Sequence, residues 1–212
     1  MRFKNKTHLI FDMDGTLVDS SELLANTINY VRKKIGLPVM DEETILRALN
    51  DTSLNPAHFY YEAEQFEEIH ERYFQEYYLA NHHRESRLYD GVGEMLERLR
   101  EKRSLSVATN AYDVSARPLL KALKIDHCFD HLLCGDHVPK AKPHPQMLEE
   151  IITAYNKERE SFLMIGDGER DVQAAQNAGI DGVLVQWGFS DHTDTEAVQS
   201  VEALLKLLGE SS

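Results

Sequence analysis

Leu9, Ile10 and Phe11 make a short apolar run that stops on Asp12, and comparable runs stand at 105–109, near 131–134, at 161–165 and at 182–186. Continuous apolar stretches of this length, bounded by turn residues, fit strands buried on both faces. Between them the apolar positions change to helical spacing, which predicts helices over 91–101, 115–123, 145–155, 169–178 and 195–208. Pro145 opens the third of these, Gly179 closes the fourth, and Pro118 blurs the start of the second. Strands separated by helices imply an α/β fold built on a parallel sheet with helices on both faces.

Residues 20–85 break that alternation. Leu23, Leu24, Ile28, Val31 and Ile35 follow helical spacing until Gly36, Leu37 and Pro38 stop the helix, and Asp19 with Glu22 reads as a capping box at its start. A second helix is predicted over 42–49. The stretch 57–79 reads as one long helix or two, with Phe59, Phe66, Ile69, Tyr73 and Tyr77 as an apolar packing face and six glutamates largely off it. No strand pattern occurs here. The expected division is therefore a core of residues 1–18 and 86–212, interrupted by a small helical cap domain, 19–85.

Composition narrows the partners. The 212 residues carry a formal charge of -13, with no dense run of Lys or Arg, which argues against general binding to nucleic acid or an anionic membrane. A bound anion must then be gripped locally. Cys128 and Cys134 show no metal or disulfide spacing and read as small core residues in a reducing compartment. Met1–Lys6 is basic, but the apolar run behind it is too short for a signal peptide or a membrane span, so a cytoplasmic protein is expected. We expect a monomer or a weak homodimer.

Four stretches carry candidate chemistry. At the first strand end, Asp12 and Asp14 place two carboxylates one residue apart, and Gly15 allows a tight turn around a small anion. Two like charges so close call for a cation. Asp12 reads as a nucleophile that also touches the metal, and Asp14 as the adjacent acid/base; capping of the next helix or an ordinary turn is the alternative. Thr109 and Asn110 close the second strand with a hydroxyl and free backbone N–H groups, equally compatible with a helix or turn cap. Lys142 is followed by Pro143 and Pro145, which stiffen the segment and aim the ammonium, although Lys-Pro pairs also occur in solvated loops. Asp167 and Asp171, at either end of Gly166-Asp-Gly-Glu-Arg-Asp171, can converge on one cation.

The order of these stretches, Asp-x-Asp-Gly-Thr, a Thr after the second strand, a distant Lys and Gly-Asp-x-x-x-Asp, resembles the haloacid dehalogenase superfamily over nearly the whole chain. The insert resembles that superfamily's first cap type. Residues 138–145 and 166–179 look like its phosphoglycolate-phosphatase-like branch. The resemblance implies a Rossmann-like core and a phosphatase acting on a small-molecule phosphate ester through an aspartyl-phosphate. Mg²⁺ would be held by Asp12, the Asp14 carbonyl oxygen and Asp167, with Asp171 acting through a metal-bound water. Thr109, Asn110, Lys142 and Gly15 would surround the phosphate, while Asp14 protonates the leaving alcohol and then activates water.

Asp14 stands where the dehalogenases of the superfamily carry Tyr, which points to phosphate esters. The related sugar phosphomutases carry a cap-side His where this chain has Leu24, so mutase activity is the alternative. Ala48-Leu-Asn-Asp51 lacks the glycine usual in phosphoglycolate phosphatases and puts that substrate in doubt. Arg47, Asn50, His58, Arg84 and Arg87 are the candidate cap contacts, Arg47 foremost, each equally readable as a solvent-facing polar residue on a helix or connecting loop. The adjacent His82 and His83 rarely face one ion. A catalytically idle module that binds phosphate, or a partner through Phe66, Tyr73 and Tyr77, is the non-enzyme alternative.

Overall fold

The computed structural model describes residues 2–49, 51, 53–188 and 197–210. Five parallel strands form the central sheet: β1 (His8–Phe11), β4 (Ser104–Ala108), β5 (His131–Leu133), β6 (Phe162–Gly166) and β7 (Asp181–Leu184), in the spatial order β5-β4-β1-β6-β7. Period-two alternation with both faces covered explains why these runs are mostly apolar. Leu9, Phe11, Leu105, Val107, Leu163 and Ile165 bury on one face, and Ile10, Ala108, Phe162 and Met164 on the other.

Each face receives its own helices. Against the first pack α5 (Val92–Arg100), α6 (Asp113–Ala122) and α9 (Val201–Leu207). Against the second pack α7 (Gln146–Tyr155) and α8 (Glu169–Asn177). The registers are helical: α5 buries Val92, Met95, Leu96 and Leu99, and α7 buries Met147, Leu148, Ile151 and Ile152. Each such fully buried aliphatic side chain contributes about 1.5–3 kcal/mol.

The insert is helical and forms a third apolar cluster of its own. It comprises α1 (Ser21–Lys34), α2 (Glu42–Leu49), α3 (Pro56–Tyr61) and α4 (Glu68–Asn81), with Ala25, Ile28, Val31, Ile45, Ala48, Tyr60 and Tyr61 buried among them. Its two chain crossings are tied by an antiparallel ribbon, β2 (Val18–Asp19) with β3 (Arg87–Leu88).

Several expectations from the pattern need correction. The Asp19–Glu22 capping box does not form: Ser20 occupies the N-cap, and the Asp19 carboxylate accepts from Ser21 Oγ at 2.7 Å and Arg87 Nη2 at 2.5 Å. The stretch 57–79 takes the two-helix form of its expectation, broken after α3 where Glu62 turns left-handed at φ 57°; Asn55 caps the start of α3 by accepting from the Ala57 and His58 amides. A new helix then begins at Glu68 in its own phase, burying His70 and Tyr78, with Phe74 packed beside them. The expected stripe therefore fails in part, with Phe66 44% and Ile69 39% exposed. Pro118 lies inside α6 rather than at its start. The last helix starts at Val201, where Ser200 Oγ accepts from Ala203 N; its expected beginning at 195 lies outside the described residues.

Candidate active site

Because β1 is flanked by β4 and β6, the carboxyl ends of three neighbouring strands open side by side, where α/β sheets bind ligands. Asp12 follows β1, Thr109 follows β4, and Asp167 follows β6. After Asp12 the chain turns back at once, with the Leu17 and Val18 amides donating to the Met13 carbonyl and Gly15 N donating to Val18 O. Gly15 sits at φ +82°, and a Cβ there would collide with the Asp167 carboxylate. Thr16 Oγ1 donates to Asp167 Oδ1 at 3.2 Å, which fixes that carboxylate against the turn.

Lys142 comes from the connection between β5 and α7, and only 4% of it is exposed. Its Nζ donates to Asp12 Oδ1 at 2.7 Å and to Asp171 Oδ1 at 2.6 Å. Asp171 reaches it because Gly166 has no side chain: a Cβ there would fall on the Asp171 carboxylate. The second Asp171 oxygen accepts from Gly168 N, so both its oxygens are engaged. The backbone of Lys142 is held as well, since Asn110 Oδ1 accepts from Lys142 N at 3.0 Å and Asn110 Nδ2 donates to Lys142 O at 2.9 Å. Asn110 thus holds the Lys142 backbone through both ends of its side-chain amide. Asn110→Ala would strip both bonds from a buried segment. We expect it to cost about 1–3 kcal/mol in chemical denaturation and to lower turnover about tenfold or more.

The electrostatics follow from this packing. One carboxylate oxygen from each of Asp12, Asp167 and Asp171 lies within 4.8 Å of the other two. Burial pushes Asp12 well above the ordinary carboxylate range, Lys142 opposes that shift, and Asp171 and Asp167 add to it. Burial likewise lifts Asp14 to about 6, tempered by the hydrogen bond from Ser20 Oγ and by Lys142. Desolvation disfavours the Lys142 ammonium, but Asp12 and Asp171 outweigh it and hold that group above the usual lysine value. At this floor the described residues set one ammonium, Lys142, against Asp12, Asp14, Asp167 and Asp171. Hard, oxygen-only donors with excess negative charge suit a small divalent cation such as Mg²⁺.

A cavity of about 310 Å³ opens above the floor, bounded by Asp12, Asp14, Thr109, Asn110, Lys142 and Asp171 below and by the helical insert above. Thr109 is buried, and its Oγ1 accepts from Ala111 N at 3.1 Å, so it caps the turn while facing the cavity. Arg47, by contrast, is not brought to the cavity: it lies along the exposed side of α2 with Nη2 2.5 Å from Glu43 Oε1. His58, Arg84 and Arg87 do not line it either; Arg84 pairs with Asn81 and Arg87 with Asp19. Asn50 lies outside the described residues. His82 and His83 meet edge to face and join no metal-capable group among the described residues.

Other contacts carry no sequence pattern. Ser20 on Asp14 is one, and Trp187 Nε1 donating to Thr16 O at 2.9 Å is another. Arg170 lines the cavity and donates to Asp51 O at 2.8 Å, tying α8 to the insert; it stands within the 166–171 motif, whose aspartates carry the stronger local chemical signal. The two cysteines are free and buried, and burial raises the Cys134 thiol to about 12.

The haloacid dehalogenase-like hydrolase family profile matches residues 9–185. A phosphoglycolate phosphatase of Mannheimia succiniciproducens is 35% identical over 193 residues, covering 85% of each chain. One of Chromobacterium violaceum is 31% identical over 218 residues, covering 98% of this chain and 97% of its own. A haloacid dehalogenase-like hydrolase structure from Streptococcus pneumoniae superposes with a TM-score of 0.75 at 28% identity, covering 89% of this chain and 88% of that one.

Proposed function

Because the chain belongs to the haloacid dehalogenase-like hydrolases and is a phosphatase among them, we propose that it hydrolyses a small-molecule phosphate monoester with Mg²⁺ through an aspartyl-phosphate on Asp12. The observation that carries this reading is Lys142 Nζ, buried and bonded to both Asp12 and Asp171 at the floor of the cavity beneath the helical insert. A solvated Lys-Pro loop has no reason to bury an ammonium between two acids.

In this reading Asp12 attacks phosphorus in line and displaces the alcohol, whose oxygen takes a proton from Asp14. Asp14 then removes a proton from the water that cleaves the acyl phosphate, which restores Asp12 and releases inorganic phosphate. Lys142, Thr109 and neighbouring backbone N–H groups bear on the phosphoryl oxygens as their charge shifts. Asp12, the Asp14 carbonyl and Asp167 would hold the Mg²⁺. That ion would offset repulsion between the acids and the phosphoryl group. Asp171, with both oxygens engaged, positions Lys142 and acts at most through water on the ion.

The helical insert, residues 19–85, serves as the cap that excludes water from the cavity. Leu24 lines that cavity where a phosphomutase would need an imidazole, which favours hydrolysis. Of the three aromatics expected at a partner surface, Phe66 lines the same cavity while Tyr73 and Tyr77 do not, which weakens the binding-module alternative. The relatives' names put phosphoglycolate forward as one candidate ester.

The test is phosphate release from a panel of monoesters. After exhaustive chelation turnover should fall to about 1% or less and return on adding Mg²⁺. Turnover that survives chelation would overturn the metal-dependent reading.

A further inference from the structure

The wall of the cavity is chemically unlike its floor. Tyr60, Tyr61, Phe66, Phe74, Tyr78 and Tyr112 line it, and Leu24, Ile28 and Leu49 fill between them. The rings are prearranged: Phe74 stacks on Tyr78 at 5.7 Å between centroids, and Tyr61 on the buried His70 at 4.8 Å. A short acidic alcohol such as glycolate would leave most of about 310 Å³ unfilled. It would also bring a carboxylate against apolar rings and near Glu71, which lines the same wall.

Two polar atoms in this wall have no hydrogen-bond partner among the described residues, Tyr78 Oη and Arg170 Nε. Tyr78 is 2% exposed, so water does not reach it freely, and buried hydroxyls are rarely left unpaired. The wall is thus a ready-made surface for planar apolar groups with a few polar atoms left to meet.

We propose that the alcohol released by this enzyme carries an uncharged ring, seated in the cap half of the cavity among Tyr60, Phe74 and Tyr78, with Phe66 at its rim. This specificity rests on the phosphatase reading above, but binding tests it apart from turnover. Aromatic side chains hold rings by offset or edge contacts, and burying a ring there removes apolar surface from water on both partners.

The experiment uses the full chain with Mg²⁺ and three non-hydrolysable phosphonates measured by calorimetry: 3-phenylpropylphosphonate, propylphosphonate and 3-phosphonopropionate, the last an isostere of phosphoglycolate. The aryl compound should bind at least about tenfold tighter than either of the others. Phe66→Ala, at a 44% exposed position, should weaken the aryl compound by about threefold or more and leave propylphosphonate unchanged. Equal or tighter binding of 3-phosphonopropionate overturns the proposal, with loss of that binding in Arg170→Gln identifying the arginine as a carboxylate receptor. Phosphate release from acetyl phosphate, which has no ring, is followed in parallel. If it and 2-phenylethyl phosphate are both inert, the phosphatase reading fails, while the phosphonate affinities still decide what the wall binds.

Discussion

Replacing Asp12 with asparagine is expected to reduce turnover of every phosphate monoester by at least about 10⁴-fold, because a carboxamide of the same shape has no oxygen that can displace the alcohol. The fold should survive the change. Asp12 is held in a desolvated site where burial, Asp171 and Asp167 all penalise its charge and Lys142 is the countervailing group. The neutral amide relieves those penalties, and Lys142 keeps its 2.6 Å bond to Asp171. The melting temperature should therefore hold or rise while activity vanishes. Acid quenching of the unsubstituted protein during turnover should trap phosphate on the chain, and the variant should trap none. Residual turnover within about tenfold of the unsubstituted protein would place the nucleophile elsewhere.

What could be read from the chain, and what could not, follows from the range of each interaction. The run Leu9–Phe11 declared a buried strand because a parallel strand covered on both faces needs no polar position, and the helix expected over 42–49 is present as α2. Gly36 and Gly179, both at positive φ, ended helices where a Cβ-bearing residue would be strained. The two-residue ribbon of Val18–Asp19 with Arg87–Leu88 was invisible because so short a pair has no period. The aromatic stripe does not hold together because the left-handed turn at Glu62 resets the helical phase, so positions before and after it do not share a face.

The site was legible as residue types and illegible as geometry. Asp12, Asp14, Lys142 and Asp171 declare themselves by chemistry and order, and all four line one cavity. That Asn110 clasps the backbone of a residue 32 positions away, or that Arg170 rather than Arg47 faces the cavity, depends on how strands and insert are brought together. No local spacing encodes it. Even so, neighbouring glycines hint at it afterwards, since Gly15, Gly166 and Gly188 are places where carboxylates crowd the backbone.

Lys142→Met should be the most damaging substitution to combine activity and stability. The methionine keeps the apolar stem but removes the ammonium, so charge on the phosphoryl oxygens loses its counter-ion and kcat should fall about 10²–10³-fold or more. The stability cost arises from what remains: Asp12 and Asp171 left buried without their shared partner, a loss of about 3–5 kcal/mol near neutral pH in the absence of divalent cation. Its pH dependence has a definite sign. Asp12 already holds its proton more tightly folded than unfolded because of burial, and losing Lys142 strengthens that bias. A carboxyl whose folded pKa is raised favours the folded state at low pH and penalises it as pH climbs through that value. Denaturation in chelator should therefore show the variant markedly weaker at pH 8 than at pH 5, with Mg²⁺ restoring part of the difference at pH 8. A variant equally stable at both pH values, and unaffected by Mg²⁺, would mean that the ammonium does not balance buried acids at all.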